Sequence, residues 1–188
     1  MTLASPVRTR CPDALITAIR GAVDRRADWA RTAALVAGEL GRQLPDPAEI
    51  LTAAERDGSA GKYACHVLHT EPDGAFSVVA LVWRPGQVTP VHDHVAWCVF
   101  GILQGTEYEE LYRLGPDGEY LEMVGSSAAR AGEVGGFAPP GDIHRVRNSG
   151  AGVAISLHVY GADIDRLGSS VRRIYDLPVA GARPGTAG

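Results

Sequence analysis

Residues 86–105 read G-Q-V-T-P-V-H-D-H-V-A-W-C-V-F-G-I-L-Q-G, and residues 139–148 read P-P-G-D-I-H-R-V-R-N. Side chains of an extended strand alternate between its two faces, so His92 and His94 project from one side and Asp93 from the other. His144, from a distant segment, supplies a third imidazole. Three neutral nitrogen donors cover one triangular face of a metal ion and leave its other positions open. That arrangement suits catalysis rather than a closed structural site. Imidazole serves several first-row metals, so the donor set alone does not choose among them. A single H-x-H pair is a weak signal. Its surroundings strengthen it: the glycines permit turns between short strands, and Pro139-Pro140-Gly141 makes a turn that delivers His144 inward.

The spacing carries more. Five residues separate Gly86 from His92, three separate His94 from Cys98, and six separate Cys98 from Gly105. Pro139, Gly141, His144 and Asn148 fall in the pattern P-x-G-x2-H-x3-N. Together these segments resemble the paired motifs of the cupin superfamily, G-x5-H-x-H-x3-E-x6-G and P-x-G-x2-H-x3-N. The resemblance implies a mainly β fold, a jelly-roll-type cupin barrel, with a metal on His92, His94 and His144. Cys98 stands where many cupins carry a glutamate ligand. Over residues 63–160 the likeness narrows to the cysteine dioxygenase-like thiol dioxygenases, bacterial type. The carrying stretches are H-D-H-V-A-W-C, G-I-L-Q-G-T-E, G-D-I-H-R-V and S-L-H-V-Y.

That family resemblance implies Fe(II) as cofactor, and a small thiol and dioxygen as substrates. It also implies a Ser156–His158–Tyr160 relay whose tyrosine points at the iron; recurrence at every second residue puts these three side chains on one face. Cys98 matches the cysteine that cross-links to the relay tyrosine in animal cysteine dioxygenases. Read alone, it is more readily a small buried apolar residue. His66 and His69 match no ligand position and read as surface or pocket-wall residues. Glu107 reads as structural, or as an acceptor that orients a metal-bound imidazole. Arg145 and Arg147 read as a solvated or salt-bridged face.

The substrate pocket departs from the family pattern. Cysteine dioxygenases hold the substrate carboxylate with an arginine in Y-x-R, and mercaptopropionate dioxygenases have glutamine there; this chain reads Tyr63-Ala64-Cys65-His66. A guanidinium is a strong bidentate carboxylate anchor, so its loss argues against ordinary cysteine as the substrate. Arg84, Arg166 or Arg172 could replace it. Alternatively the substrate is a 3-mercapto acid, or a bulkier thiol or thione such as ergothioneine held by the aromatic faces of Trp97 and Tyr63. The expected pocket residues are therefore Tyr63, Cys65, Trp97 and Arg84. The competing readings are cysteine dioxygenase proper, a non-catalytic small-ligand cupin, a metal-independent epimerase and a storage cupin.

The remaining features agree with a small metabolic enzyme. The 188 residues suffice for one domain with a substantial core. Hydrophobic content of 45% and charged content of 21% are ordinary for a globular chain. A net charge of −4 with dispersed basic residues offers no nucleic-acid footprint. No apolar run reaches membrane-span length and no leader pattern is read at the N-terminus. Cys11, Cys65 and Cys98 are unlike a disulfide framework, so a reducing cytoplasm is the expectation. Oligomeric state is left open between monomer and homodimer.

Helical periodicity runs from Pro12 to Glu55, with Gly41 expected to end the second helix and Asp46 to cap the third. Expected strands are Tyr63–Leu68, Phe76–Trp83, Trp97–Leu103, Glu107–Leu114, Glu119–Val124 and Val153–Tyr160. The expected organisation is N-terminal helices over 1–60, the barrel over 61–177 and a loose tail over 178–188.

Overall fold

The computed structural model describes residues 10–180. Four helices come first: α1 (Asp13–Val23), α2 (Trp29–Arg42), α3 (Pro47–Ile50) and α4 (Ala53–Arg56). Ten strands and one further short helix follow: β1 (Ala64–Thr70), β2 (Ser77–Trp83), β3 (His92–His94), β4 (Cys98–Gln104), β5 (Thr106–Leu114), β6 (Leu121–Arg130), β7 (Val134–Phe137), β8 (His144–Arg147), β9 (Ala154–Tyr160), α5 (Ile164–Leu167) and β10 (Val171–Ile174). The strands form two five-stranded sheets, β1-β2-β9-β4-β7 and β10-β3-β8-β5-β6, with every ladder antiparallel. This is the cupin barrel that the sequence implies. Among the described residues, no helix is long and apolar enough to cross a membrane.

Local chemistry explains most boundaries. The Asp28 carboxylate accepts the Arg31 N–H at 2.8 Å to open α2, and Asp46 caps α3 by accepting the Ala48 N–H at 2.7 Å. Thr52 and Glu55 cap one another reciprocally at the start of α4. The second helix does not stop at Gly41. It runs to Arg42 and is closed by Gln43 in a non-helical conformation, with the Gln43 N–H donating to the Leu40 carbonyl. Nor is the segment after Leu177 loose from its start: the Leu121 N–H donates to the Pro178 carbonyl at 2.8 Å and the Ala180 N–H to the Leu121 carbonyl at 2.7 Å. The rest of the expected tail, 181–188, lies outside the described residues.

The central strands of the first sheet are buried on both faces. Every residue of β2 and of β9 is buried. Val78, Ala80 and Val82 of β2, Val99 of β4, and Ile155, Leu157 and Val159 of β9 pack with Leu15, Ile19, Val36 and Leu40 of the helices. The alternate residues Val79, Leu81, Trp83, Cys98, Ala154 and Tyr160 form a second cluster inside the barrel. Strict alternation thus assigns Ser156, His158 and Tyr160 to the interior, with their apolar neighbours beneath the helices.

Candidate metal centre

His92 and His94 come from β3, and His144, on β8, is the direct cross-strand partner of His92. The turn before β8 uses Gly141 at φ 105°, a conformation open to glycine and strained for other residues. The three rings form a nearly equilateral triangle, with centroids 4.7, 4.8 and 4.9 Å apart. One ring nitrogen from each lies within 4.8 Å of the other two. All three residues are buried.

The second nitrogen of each ring is spoken for. His92 Nδ1 lies 3.0 Å from the Pro90 carbonyl, His94 Nδ1 3.1 Å from Asp142 Oδ2, and His144 Nδ1 2.6 Å from Glu109 Oε1. Each acceptor draws the ring hydrogen to Nδ1 and leaves Nε2 as a lone-pair donor, which is how ligating imidazoles are oriented. Burial, followed by the proximity of His144 and His94, pushes His92 down to about 3; burial likewise lowers His94. The neutral form, the one that binds a metal, is thereby favoured. The residues fit a divalent transition metal with open positions.

Asp142 has a double task, because its Oδ2 also accepts the His94 backbone N–H at 2.9 Å. Asp142→Ala is expected to lower metal affinity by roughly 10- to 100-fold. Competition against a chromophoric chelator checks this. Unchanged affinity would mean that Asp142 does not orient His94.

A cavity of about 590 Å³ opens onto the triad, ample for a small ligand. Tyr160, His158 and Cys98 line it. Ser156 Oγ lies 2.9 Å from His158 Nε2, and the Tyr160 hydroxyl 3.3 Å from His158 Nδ1. The Tyr160 ring stacks 6.1 Å from that of His94. Cys98 pairs with Tyr160 across β4 and β9, and its Sγ is 3.6 Å from His158 Nδ1.

Of the expected pocket residues, Tyr63 and Cys65 line the cavity; Trp97 and Arg84 do not. Trp97 packs in the core cluster beneath the helices, against Gly161, where an added Cβ would collide with its indole nitrogen. It precedes the inward-facing Cys98 by one residue, so alternation turns it away. Arg84 Nε donates to the Asp57 carbonyl at 2.8 Å, outside the cavity. Arg172 is paired with Asp93, and Arg166 is exposed. The aromatic wall is instead Tyr63 stacked on Trp83, with centroids 4.3 Å apart. Trp83 escaped the sequence reading, although it shares a face with Val79 and Leu81. Among the described residues lining the cavity, Lys62, exposed at its rim, is the one lysine or arginine.

The residues outside the cavity behave more simply. His66 faces Glu55 at 3.6 Å and His69 faces Glu71 at 3.0 Å, both off the cavity. Arg145 and Arg147 pair with Glu110 at 2.5 and 3.8 Å.

Residues 44–170 match the family model of cysteine dioxygenase type I. The chain belongs to that family. Cysteine dioxygenase type 1 of Homo sapiens is 33% identical over 97 residues, covering 50% of this chain and 48% of the human protein. The Pongo abelii protein gives the same figures. The chain thus matches about half the length of these cysteine dioxygenases. Among solved structures, a cupin 2 conserved barrel domain protein from Salinispora arenicola superposes with a TM-score of 0.44 at 19% identity, covering 63% of this chain and 94% of that one. An oxalate oxidase in complex with glycolate also gives 0.44, at 21% identity, covering 56% and 53%.

Proposed function

We propose that this cysteine dioxygenase family member is a non-haem iron(II) thiol dioxygenase. It converts a small thiol or thione and dioxygen into the sulfinic acid, RSH + O2 → RSO2H. The observation that carries this reading is an all-histidine, carboxylate-free triad facing the same cavity as the Ser156–His158–Tyr160 line. Bound iron(II) would supply the electron-transfer chemistry that lets dioxygen react with sulfur, which zinc does not.

The protein's own groups do the rest. His92, His94 and His144 hold the metal and leave one side open to the cavity. Tyr160, protonated because burial raises its hydroxyl well above the ordinary range, offers a hydrogen bond to the reacting centre. His158 and Ser156 fix the direction of that hydroxyl. The Tyr63–Trp83 wall shields the site from water and provides a flat apolar surface for the substrate body.

Free L-cysteine is not the best substrate on this reading, because among the described residues no arginine lines the cavity to clamp its carboxylate. A 3-mercapto acid reaching Lys62, or a bulkier thiol or thione lying on Tyr63 and Trp83, fits better. The test is oxygen uptake by iron-reconstituted protein across cysteine, 3-mercaptopropionate, cysteamine, mercaptosuccinate and ergothioneine, with isotopically labelled dioxygen. The expected product is a sulfinate carrying both labelled atoms, with kcat/KM for cysteine below that of another thiol by one to two decades, roughly the loss of one charged hydrogen bond. A singly labelled product, or oxygen drawn from water, overturns the dioxygenase reading. Cysteine as the best substrate overturns the pocket assignment alone.

Part of the protein is further expected to carry a thioether between Cys98 and Tyr160, formed with loss of two hydrogen atoms to dioxygen. Their cross-strand pairing favours it. A peptide map should contain the two fragments joined, with the joined species absent from Cys98→Ala. Only free thiol at Cys98 after many turnovers would refute the cross-link.

A further inference from the structure

The Ser156–His158–Tyr160 line ends, remote from Tyr160, against a buried acid. Glu107 on β5 is only 5% exposed and lines the cavity. Its polar neighbours are the Ser156 hydroxyl on β9 and the Trp83 indole on β2. These contacts leave capacity to spare. Among the described cavity-lining residues, Glu107 Oε1 and Trp83 Nε1 are the fully buried side-chain polar atoms without a partner in ordinary hydrogen-bond geometry. A carboxyl held this way is costly to bury, and packing alone gives no reason for it.

A line of hydroxyl, imidazole and hydroxyl can donate in either direction. With Glu107 ionised, the neighbouring Ser156 can turn its hydrogen toward the carboxylate, and His158 Nε2–H then donates to Ser156 Oγ. His158 Nδ1 is then an acceptor and takes the Tyr160 hydroxyl hydrogen. With Glu107 protonated, the carboxyl O–H donates to Ser156, and Ser156 donates to His158 Nε2. The imidazole now carries its hydrogen on Nδ1, where it donates to the Tyr160 oxygen. The Tyr160 hydrogen is released toward the metal side. Cys98 Sγ, beside the same Nδ1, accepts or donates weakly in either state.

We propose that Glu107 is the terminal member of the relay, and that its protonation state sets the direction of donation and so the availability of the Tyr160 hydrogen. This rests on the thiol dioxygenase reading for its catalytic consequence, but not for the switch itself. The groups along the line are suited to it. Burial pushes His158 down to about 3, so near neutrality the ring is uncharged and free to exchange tautomers. Burial pushes Glu107 up to about 7. Its charged neighbour is Glu109 on the same strand. Trp83 faces it from β2, Ser156 and His158 from β9, Cys98 from β4, and the uncharged Ser127 and Ala129 line the cavity from β6.

The test follows the His158 tautomer by nuclear magnetic resonance in zinc-substituted protein with isotope-labelled histidine, from well below to well above that midpoint. The expected result is hydrogen on Nδ1 at low pH and on Nε2 at high pH, with the swap abolished in Glu107→Gln. Glu107→Asp should keep the swap at a displaced midpoint, which guards against a misfolded glutamine variant. In the iron-loaded enzyme, kcat should fall by roughly 100-fold as pH rises through the same midpoint, the low end of what a positioned proton donor contributes. The glutamine variant should have a flat profile. A single tautomer throughout, or a swap that persists in Glu107→Gln, overturns the proposal. A swap in protein that oxidises no thiol overturns the dioxygenase reading and leaves the relay assignment standing.

Discussion

Replacing His144 by alanine is expected to strip the protein of metal and activity while leaving the barrel folded. The loss in affinity should exceed the roughly 10- to 100-fold attached to a ligand's hydrogen-bond partner, since a donor atom itself is gone. The same holds for His92→Ala and His94→Ala. The fold survives because β3 and β8 are joined through their backbones, which the substitution leaves in place. Metal analysis after dialysis, alongside circular dichroism, checks both halves. A variant that keeps full occupancy and turnover would show that its histidine is not a ligand.

The metal-free wild type should also be acid-sensitive in a defined sense. The folded His92 is depressed from 6.5 to about 3, so between these values the unfolded chain binds more protons than the folded one. Stability is therefore present in full above 6.5 and lost as pH falls toward 3. His92→Ala should flatten that slope.

Tyr160→Phe is expected to lower kcat by at least ~100-fold with little change in KM, the signature of a group acting on the reacting centre. Phenylalanine keeps the ring that stacks beside His94 and removes only the hydroxyl 3.3 Å from His158 Nδ1. Structural damage should be correspondingly small, about 1 kcal/mol for one hydrogen bond. Steady-state kinetics on the best thiol decides the matter. A kcat within a few-fold of wild type, or a change confined to KM, would remove Tyr160 from the chemistry.

The metal triad was legible because its information is local: H-D-H on one strand, and a proline–glycine turn ahead of His144. The longer strands were legible for the same reason, and their boundaries came within a residue or two except in β6. Its outer half, Gly125–Arg130, has small and polar side chains without alternation, and is held as strand by pairing with β5. The short strands β7, β8 and β10 have four residues each, too few to express a period. The groups that orient the histidines were hidden for another reason. Asp142 sits two residues before His144 yet serves His94, and Glu109 reaches His144 across the β5–β8 ladder. Such partnerships arise only when the sheet closes. The misplacement of Trp97 was avoidable, because counting one residue back from an inward Cys98 turns it outward.

The double burial of β9 has an evolutionary corollary. Leu157 answers to the helices and His158 to the metal side, although they are neighbours in the chain. The family match begins at residue 44, after α1 and α2 have ended. Residues of β2, β4 and β9 that face the helices can therefore change in step with α1 and α2, while the alternate residues that line the cavity stay as they are.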